Sequence, residues 1–577
     1  VIDAHNKGAS LTVIDPNFTT TASKADSFIP IRPGSDGLLI IAMMRKILDA
    51  NLQDDAYLRN RTVASFLVKD SDGLYLKASD IGLAEIGSVT DLPIALESDG
   101  TPILGKNAMN PQIRFKGVVQ GIACTTAYEL VVSRIYSHEY TNEQIYEMTD
   151  VPEETVDKLV QQLTDGPVTI ITAFGCDHYT NGHTFYTCLM TLLMLTGNLG
   201  KHGAGITGPG ITSTTAPAVA DVSKIVMPYG NGVGISHQVH AAFLRDVIRS
   251  GKLGNEKLEI KSIYTMGSNF LASQAGRREW IDELLPKIDY LVTTDIFYNE
   301  TTQYADLILP ASYWFEAERY WASEGYLICS QKLQDPLGES KPDLEIINMI
   351  LKGMGKPDGV ISRDEFMTRA LDNDSCKSFG VSWDRLKEEG MIKCLPDDYV
   401  DVLGLTNEAI TLPEGRFSFY MNDVKPEDPS ATKWDYDRER MLYWEPPTEA
   451  WRDNEISKKY PLQFITKRSR FKAHTFYSHC ENLLELVSEP FLMMNPQDAK
   501  ERDLNEGDYV HVFNDHGDMT VLLAFNPGLR PGITQIDHGW TYDQFKEGHA
   551  SDLTSSITSV ACANNNYFDC MCEVEKA

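Results

Sequence analysis

Four short hydrophobic runs stop in the same chemical way, and that shared ending restricts the fold more than any other feature of the chain. LTVIDP (11–16), VTIITAFG (168–175), SIYTMGSN (262–269) and DYLVTTD (289–295) are rich in β-branched and aromatic residues and finish in small, polar or acidic groups. Runs of this length and composition read as strands. Segments of helical character lie between strands, among them GLLIIAMMRKIL (37–48) and RREWIDELL (277–285). The alternation predicts an α/β fold with parallel sheets, whose ligands sit beyond the carboxyl ends of the strands, where the polar endings are.

The run TGNLGKHGAGITGPG (196–210) contains G-x-G-x-x-G at Gly203, Gly205 and Gly208. That pattern marks a dinucleotide site only when its first glycine ends a strand and its third opens a helix. Here the loop follows TFYTCLMTLLMLT (184–196), which suits a buried helix, with Gly197 as its stop. The fingerprint is rejected on that context.

Farther along, residues 355 to 460 turn acidic and irregular, with clusters such as KPEDPSATKWDYDRE and WEPPTEAW. After Tyr460, LQFIT, DYVHVFN, MTVLLAF, ITQID and FDCMCEVE read as strands separated by turns such as NDHGD, which predicts a small β-barrel. A chain of 577 residues has room for several cores. The expected organisation is two related α/β domains at 1–165 and 166–355, a connecting region at 356–459 and a barrel domain at 460–577.

Charge excludes two classes of partner. With 52 Lys and Arg against 82 Asp and Glu, the net charge of −30 argues against a nucleic-acid or anionic-membrane footprint. No run approaches the roughly 18 apolar residues of a membrane span. The ten cysteines form no paired CxxC set, so no zinc or iron–sulfur ligand pattern is visible. The chain begins without Met and soon enters a strand, so an N-terminal part is expected to be missing and localisation, cytoplasmic or exported, stays open.

Several polar groups occupy places where a ligand is expected. Asp15, Asp36 and Asp295 follow a strand or loop, where a carboxylate suits the paired N–H donors of a guanine edge or ribose hydroxyls; helix capping is the alternative, above all for Asp36. Met266, Gly267, Ser268 and Asn269 lie where a strand stops, which suits phosphate or ribose or forms an ordinary turn. FGCDHYTNGHTF (174–185) sets Gly175, Asp177, His178, Asn181, Gly182 and His183 between two core elements, a costly placement unless they face ligand or water. KRSRFKAHTFYSH (467–479) concentrates Lys467, Arg468, Arg470, Lys472, His474 and His479 in an acidic chain, either to hold an anionic cofactor or as a solvated strand. NNNYFDC (564–570) offers amides such as Asn565 to a heterocycle or to a turn. His237 and His240 have the spacing of a metal pair but no third ligand nearby, which favours polar surface.

In their order along the chain, VIDPNFTTTASKADSFIPIRPGSDG, LTGNLGKHGAGITG, MGSNFLASQ, TTDIFYNETTQYADLILPAS and MNPQDAKERDLNEGDYVHVFNDHGD resemble segments of the molybdopterin-dependent oxidoreductases of the dimethyl sulfoxide reductase family. The resemblance implies a bis-molybdopterin guanine dinucleotide carrying Mo or W. By it, Asp15 and Asp36 serve one dinucleotide and Met266, Gly267, Ser268, Asn269 and Asp295 the other. Gly175, His178 and Asn181 lie near the metal, with Lys467 to His479 and Asn564 to Tyr567, including Arg468, Arg470 and Asn565, closing over the pterins. His178, Tyr179 and His474 are expected to manage protons. The protein ligand to the metal and an iron–sulfur cluster are expected in the missing N-terminal part. GCDHYTNG, ASEGYLICSQK and HGWTYDQFKEGHASDLTSS are similar to the branch of pyrogallol hydroxytransferase, catechol dehydroxylases and acetylene hydratase, which implies oxygen-atom or hydroxyl transfer on a phenol or catechol. An iron–sulfur electron-transfer subunit is the partner implied. The alternatives are a non-redox hydratase and a cofactor-free structural subunit.

Overall fold

The computed structural model describes residues 1–172, 174–207, 239–323, 325–394, 410, 415–425, 434–559, 561 and 564–577. Near its start, β1 (Thr12–Ile14) pairs in parallel with β2 (Ser27–Ile29), and the chain turns at once into α1 (Asp36–Asp49). Leu38, Ile41, Ala42, Met44 and Ile47 of α1 are at most 1% exposed. A helix apolar on all sides belongs inside a core, and α1 packs against α2 (Gly182–Leu195) and the helices Asn142–Thr149 and Glu153–Asp165. Its buried cation, Arg45, has its N–H groups satisfied: the guanidinium donates to the carbonyls of Ile135, Tyr140 and His138 at 3.1, 2.7 and 3.0 Å.

This packing sets an expected result. Ile41→Ala should destabilise the protein by about 2–5 kcal/mol, the range for a buried Ile whose cavity cannot collapse. Urea unfolding followed by tryptophan fluorescence measures it, and a change within about 0.5 kcal/mol, typical of surface sites, would contradict the buried placement.

The core around α1 runs from Ile29 to Leu199 and takes in Phe419, Leu442, Trp444 and Trp451. It therefore crosses the boundary expected near 165 and recruits part of the 356–459 region. Within it, β3 (Thr169–Ile171) pairs in parallel with β4 (Gly205–Thr207), so the glycine loop after α2 feeds a strand and not a helix. Gly208 lies outside the described residues.

A second parallel sheet orders β5 (Ser262–Met266), β6 (Tyr290–Asp295) and β7 (Leu307–Pro310), with Met266 opposite Thr294 and Asp295 opposite Pro310. The two polar strand endings thus open side by side. RREWIDELL is helical as expected, with π-helical geometry over Trp280–Leu284.

One expectation needs correction. The region from 356, expected to be irregular, carries helices Arg363–Leu371, Asp374–Ser378 and Trp383–Glu389 and the strand Met391–Lys393. They pack on the antiparallel strands Arg319–Ser323 and Tyr326–Ser330 around Leu327, Met367, Trp383, Leu386 and Ile392. Each helix offers at most three apolar residues to that core, and Asp374–Ser378 only Cys376, so charge masks the periodicity of each. Its cap is the legible signal: Ser362, Asn373 and Ser382 accept from the amides of Glu365, Cys376 and Arg385.

The C-terminal strands close a barrel. β8 (Leu462–Lys467), β9 (Phe491–Met494), β10 (Tyr509–Phe513), β11 (Asp518–Phe525), β12 (Ile533–Asp537) and β13 (Met571–Lys576) follow the order β9-β12-β8-β13-β10-β11, and β9 pairs again with β11. Closure removes the sheet edges, and Phe464, Leu492, Val510, Val521 and Val574 fill the core. The sequence reading found five of these six strands; β9 is four residues without alternation. Among the described residues, no helix is long and apolar enough to cross a membrane.

Candidate functional site

The site is assembled around the loop between β3 and α2. Gly175 sits at φ +137, and its amide donates to the Asp177 carboxylate at 3.1 Å, which tightens the turn. His178 follows, with Tyr567 and Phe568 edge-on to its ring at centroid distances of 5.2 and 4.9 Å. Its Nδ1 is buried without a hydrogen-bond partner among the described residues, and burial lowers its pKa, so the ring is neutral near pH 7. A cavity of about 340 Å³ opens here, lined by Phe174, Asp177, His178, His183, Tyr186, His240 and Asn564.

Two neighbours in sequence do something else. Tyr179 is buried with Ala450, Tyr460 and Met571, and its hydroxyl accepts from Gln463 at 3.3 Å, away from the cavity lining. Asn181, 3% exposed, donates to the carbonyls of Gly34 at 3.2 Å and Glu445 at 2.7 Å, which ties the loop to the start of α1. Both side chains anchor the loop.

Asp15 and Asp36 lie close enough to repel one another, and both repel the thiolate form of Cys176 in the same loop. Burial raises the Asp15 carboxyl above its ordinary range and pushes Asp36 up to about 6. Ser35 precedes the helix as its cap residue and Asp36 is the first helical residue. A buried carboxyl with a raised pKa, at a helix start, is poised to accept N–H donors.

At the second pair of strand ends, Gly267 adopts φ +56 with no heavy atom of the described residues within 4 Å of where a Cβ would stand, so the backbone itself borders open space after Met266 and before Ser268. Asn269 faces the protein: its carbonyl oxygen accepts from the amide and hydroxyl of Thr301. The Asp295 carboxylate accepts from the amides of Ile296 and Phe297 at 2.7 and 3.4 Å and from Asn299 at 2.9 Å. It fixes the turn after β6, and Phe297 reaches within 6.1 Å of the His479 ring.

That contact brings in the barrel. Lys467 pairs with Asp537 at 2.5 Å, Arg468 and Arg470 are exposed, and the His474 ring stacks on His538 with 4.8 Å between centroids. Gly539 makes the stack possible, because at φ +94 a Cβ there would collide with the His474 carbonyl. His538, which sequence reading missed, is lowered to about 4 by burial and then by His474, Arg468 and His178 nearby. Lys472 is buried against the Trp540 ring without a hydrogen-bond partner among the described residues, and desolvation lowers its pKa to about 7. Asn565 accepts from Arg245 at 3.2 Å and donates to Gln274 and Tyr567, joining the barrel to the second α/β unit.

The structure thus brings the β3–α2 loop, the 467–479 segment and both pairs of strand ends into one neighbourhood. Among the described residues, buried nitrogens without partners on His178, Lys472 and His538, exposed guanidiniums and open backbone at Gly267 fit a large anionic group with flat heterocycles. His237 lies outside the described residues, and His240 caps a short helix by accepting from Ala242 at 3.3 Å. Among the described residues, no cluster of three or more His, Cys, Asp or Glu side chains has the geometry of a metal site.

Comparison with known proteins bears on the same regions. The family profile described as "Molybdopterin oxidoreductase" matches residues 2–353, and "Molydopterin dinucleotide binding domain" matches residues 462–571. A Halobacterium salinarum protein described as the catalytic chain of a dimethyl sulfoxide reductase is 30% identical over 100% of this chain and 67% of its own length. Dimethyl sulfoxide reductase DmsA of Escherichia coli is 23% identical over 98% of this chain and 67% of its own length. Among solved structures, acetylene hydratase from Pelobacter acetylenicus superposes with a TM-score of 0.66 at 18% identity, covering 100% of this chain and 75% of that one, a likeness of fold.

Proposed function

Because the chain belongs to the molybdopterin oxidoreductase family, together with dimethyl sulfoxide reductases, we propose that it holds two molybdopterin guanine dinucleotides and transfers or removes oxygen or hydroxyl on a small phenol or catechol. The observation that carries the substrate reading is the cavity beside His178: about 340 Å³, walled by Phe174 and Tyr186 and bordered by Asp177, His183, His240 and Asn564. Aromatic walls with a few polar groups suit one aromatic ring bearing hydroxyls.

The cofactor's metal, Mo or W, supplies the two-electron change when bound. This chain's residues hold, orient and protonate. Asp15 and Asp36 accept N–H donors of one guanine, and the turn fixed by Asp295 accepts the other. Backbone at Met266 and Gly267 and the side chain of Ser268 meet ribose and phosphate, while Lys472, Lys467, Arg468 and Arg470 supply the positive charge that an acidic chain otherwise lacks. Anion binding favours the charged form of Lys472, so its pKa rises from about 7 on loading. His178 and His474 exchange protons at the mouth of the site, Asn565 and Tyr567 close over the pterin, and Tyr179 acts by anchoring the loop. An iron–sulfur electron-transfer subunit is the partner this reading calls for.

Metal analysis with acid release of GMP from the native protein tests the cofactor. The expected ratio is about two GMP per metal, as a paired-dinucleotide centre requires. Asp295→Ala should lower GMP content by about half or more, since removal of the carboxylate also frees the turn that it organises. Neither GMP nor metal, in protein from a cofactor-competent host, would favour a structural subunit; unchanged GMP in the variant would remove Asp295 from the site.

A further inference from the structure

We propose that His183 is the base of the cavity, taking the proton of a bound hydroxyl at Nδ1, with Tyr443 and Glu439 as its positioning residues; this rests on the reading that the cavity takes the substrate. His183 lines the cavity. Its Nε2 lies 2.6 Å from the Tyr443 hydroxyl, and that hydroxyl donates to Glu439 Oε1 at 2.7 Å. Glu439 is an acceptor fixed in place: its side chain is 5% exposed, and Arg438 donates to it from Nη2 at 2.8 Å and from Nε at 3.1 Å.

The order of donors dictates the tautomer. Tyr443 gives its proton to the carboxylate, so its oxygen accepts, and Nε2 of His183 must carry the hydrogen. The lone pair is left on Nδ1, whose polar neighbour is the Ser559 hydroxyl at 3.4 Å, a loose contact that a substrate hydroxyl can displace. When Nδ1 takes a proton, the O–H bond of the substrate breaks, its electron pair stays on oxygen, and the imidazolium is stabilised through Tyr443 by Glu439. The charged groups facing the pair are Glu439, Arg438 and, beyond Arg438, Glu445 at 3.1 Å. Burial lowers the pKa of His183, so the ring is neutral and ready to accept. His178 differs: among the described residues its buried Nδ1 has no hydrogen-bond partner, its ring packs edge-on to Tyr567 and Phe568, and the nearby Asp177 carboxylate accepts from the Gly175 amide and from Asn564.

4-Nitrocatechol, whose phenolate absorbs apart from its neutral form, tests the proposal in the metal-loaded full chain at a pH about one unit below the probe's own ionisation. Wild-type protein is expected to bind the probe largely as phenolate. His183→Asn should bind it with at least a fivefold smaller phenolate fraction, and Tyr443→Phe, which keeps the ring packing, with at least a twofold smaller one. Binding itself reports that each variant retains a folded cavity. No binding by the wild type would overturn the cavity as substrate site, and the base with it. Binding with an equal phenolate fraction in wild type and variants, or as the neutral form throughout, would overturn the role of His183 and leave the cavity reading standing.

Discussion

Asp569→Ala is expected to cost about 3–5 kcal/mol of stability and to lower turnover by roughly 100-fold. The carboxylate is 1% exposed and answers five donors: the amides of Thr448, Glu449 and Ala450 at 2.9, 2.8 and 2.7 Å, and the amide and hydroxyl of Thr180 at 3.3 and 2.5 Å. Its loss strands buried donors, each worth about 1–3 kcal/mol when left unpaired. It also releases Thr180 from the segment that leads into the final barrel strand, and Thr180 lies two residues from His178. A shift of about 1 Å in a reacting group costs on the order of 10² in rate. Chemical denaturation and turnover with a catechol, in the same preparation, measure both. A variant within about 1 kcal/mol of wild type would show that the three segments hold together without this residue.

The second large effect is expected at Arg277 and Asp552. Arg277 Nη1 donates to both carboxylate oxygens of Asp552 at 2.9 and 3.2 Å, with side chains 8% and 2% exposed. Arg277 belongs to the helix beside the second parallel sheet and Asp552 to the barrel, so the pair bolts two units together. Asp552→Ala leaves a buried guanidinium unpaired and should cost about 3–5 kcal/mol. Burial keeps the Asp552 carboxyl above its ordinary range even beside Arg277, so its ionisation in the folded protein is penalised and the pair stabilises less than its geometry implies. The double variant Arg277→Met, Asp552→Leu should therefore recover most of the loss. Calorimetry separates the cases: the single variant is expected to split the unfolding of barrel and sheet, and a double variant as unstable as the single would refute the desolvation argument.

How much of this is legible in the sequence depends on range. α1 and α2 are legible because helices apolar on every side leave a composition signal that needs no partner. The polar endings of β1, β5 and β6 are legible because strand and ending are contiguous. β9 is not, since four residues without alternation acquire their identity only from β11 and β12 beside them. The helices from 363 to 389 carry their signal in caps and not in hydrophobic stripes. His183 stands in a recognisable polar loop, but Tyr443 and Glu439 arrive from about 260 positions away, and nothing in MLYW or DRER announces a hydrogen-bonded triad. Asp569 is hidden in the same way, as an unremarkable acid between Phe568 and Cys570. The sequence shows the chemistry of single loops, while the couplings between loops exist only after packing.

The position of β13 in the barrel ties the integrity of the cylinder to the cavity. This strand, residues 571–576, lies between β8 and β10, so the first strand of the barrel waits for the last before the cylinder is continuous. Asn564, which borders the cavity, and Asp569, which clamps the β3–α2 loop, immediately precede it. Unpairing of β13 alone would open the cylinder between β8 and β10 and slacken the hold of Asp569 on Thr180. The seam that completes the barrel and the clamp that holds the β3–α2 loop are thus one stretch of chain, so that loosening the seam reaches the cavity.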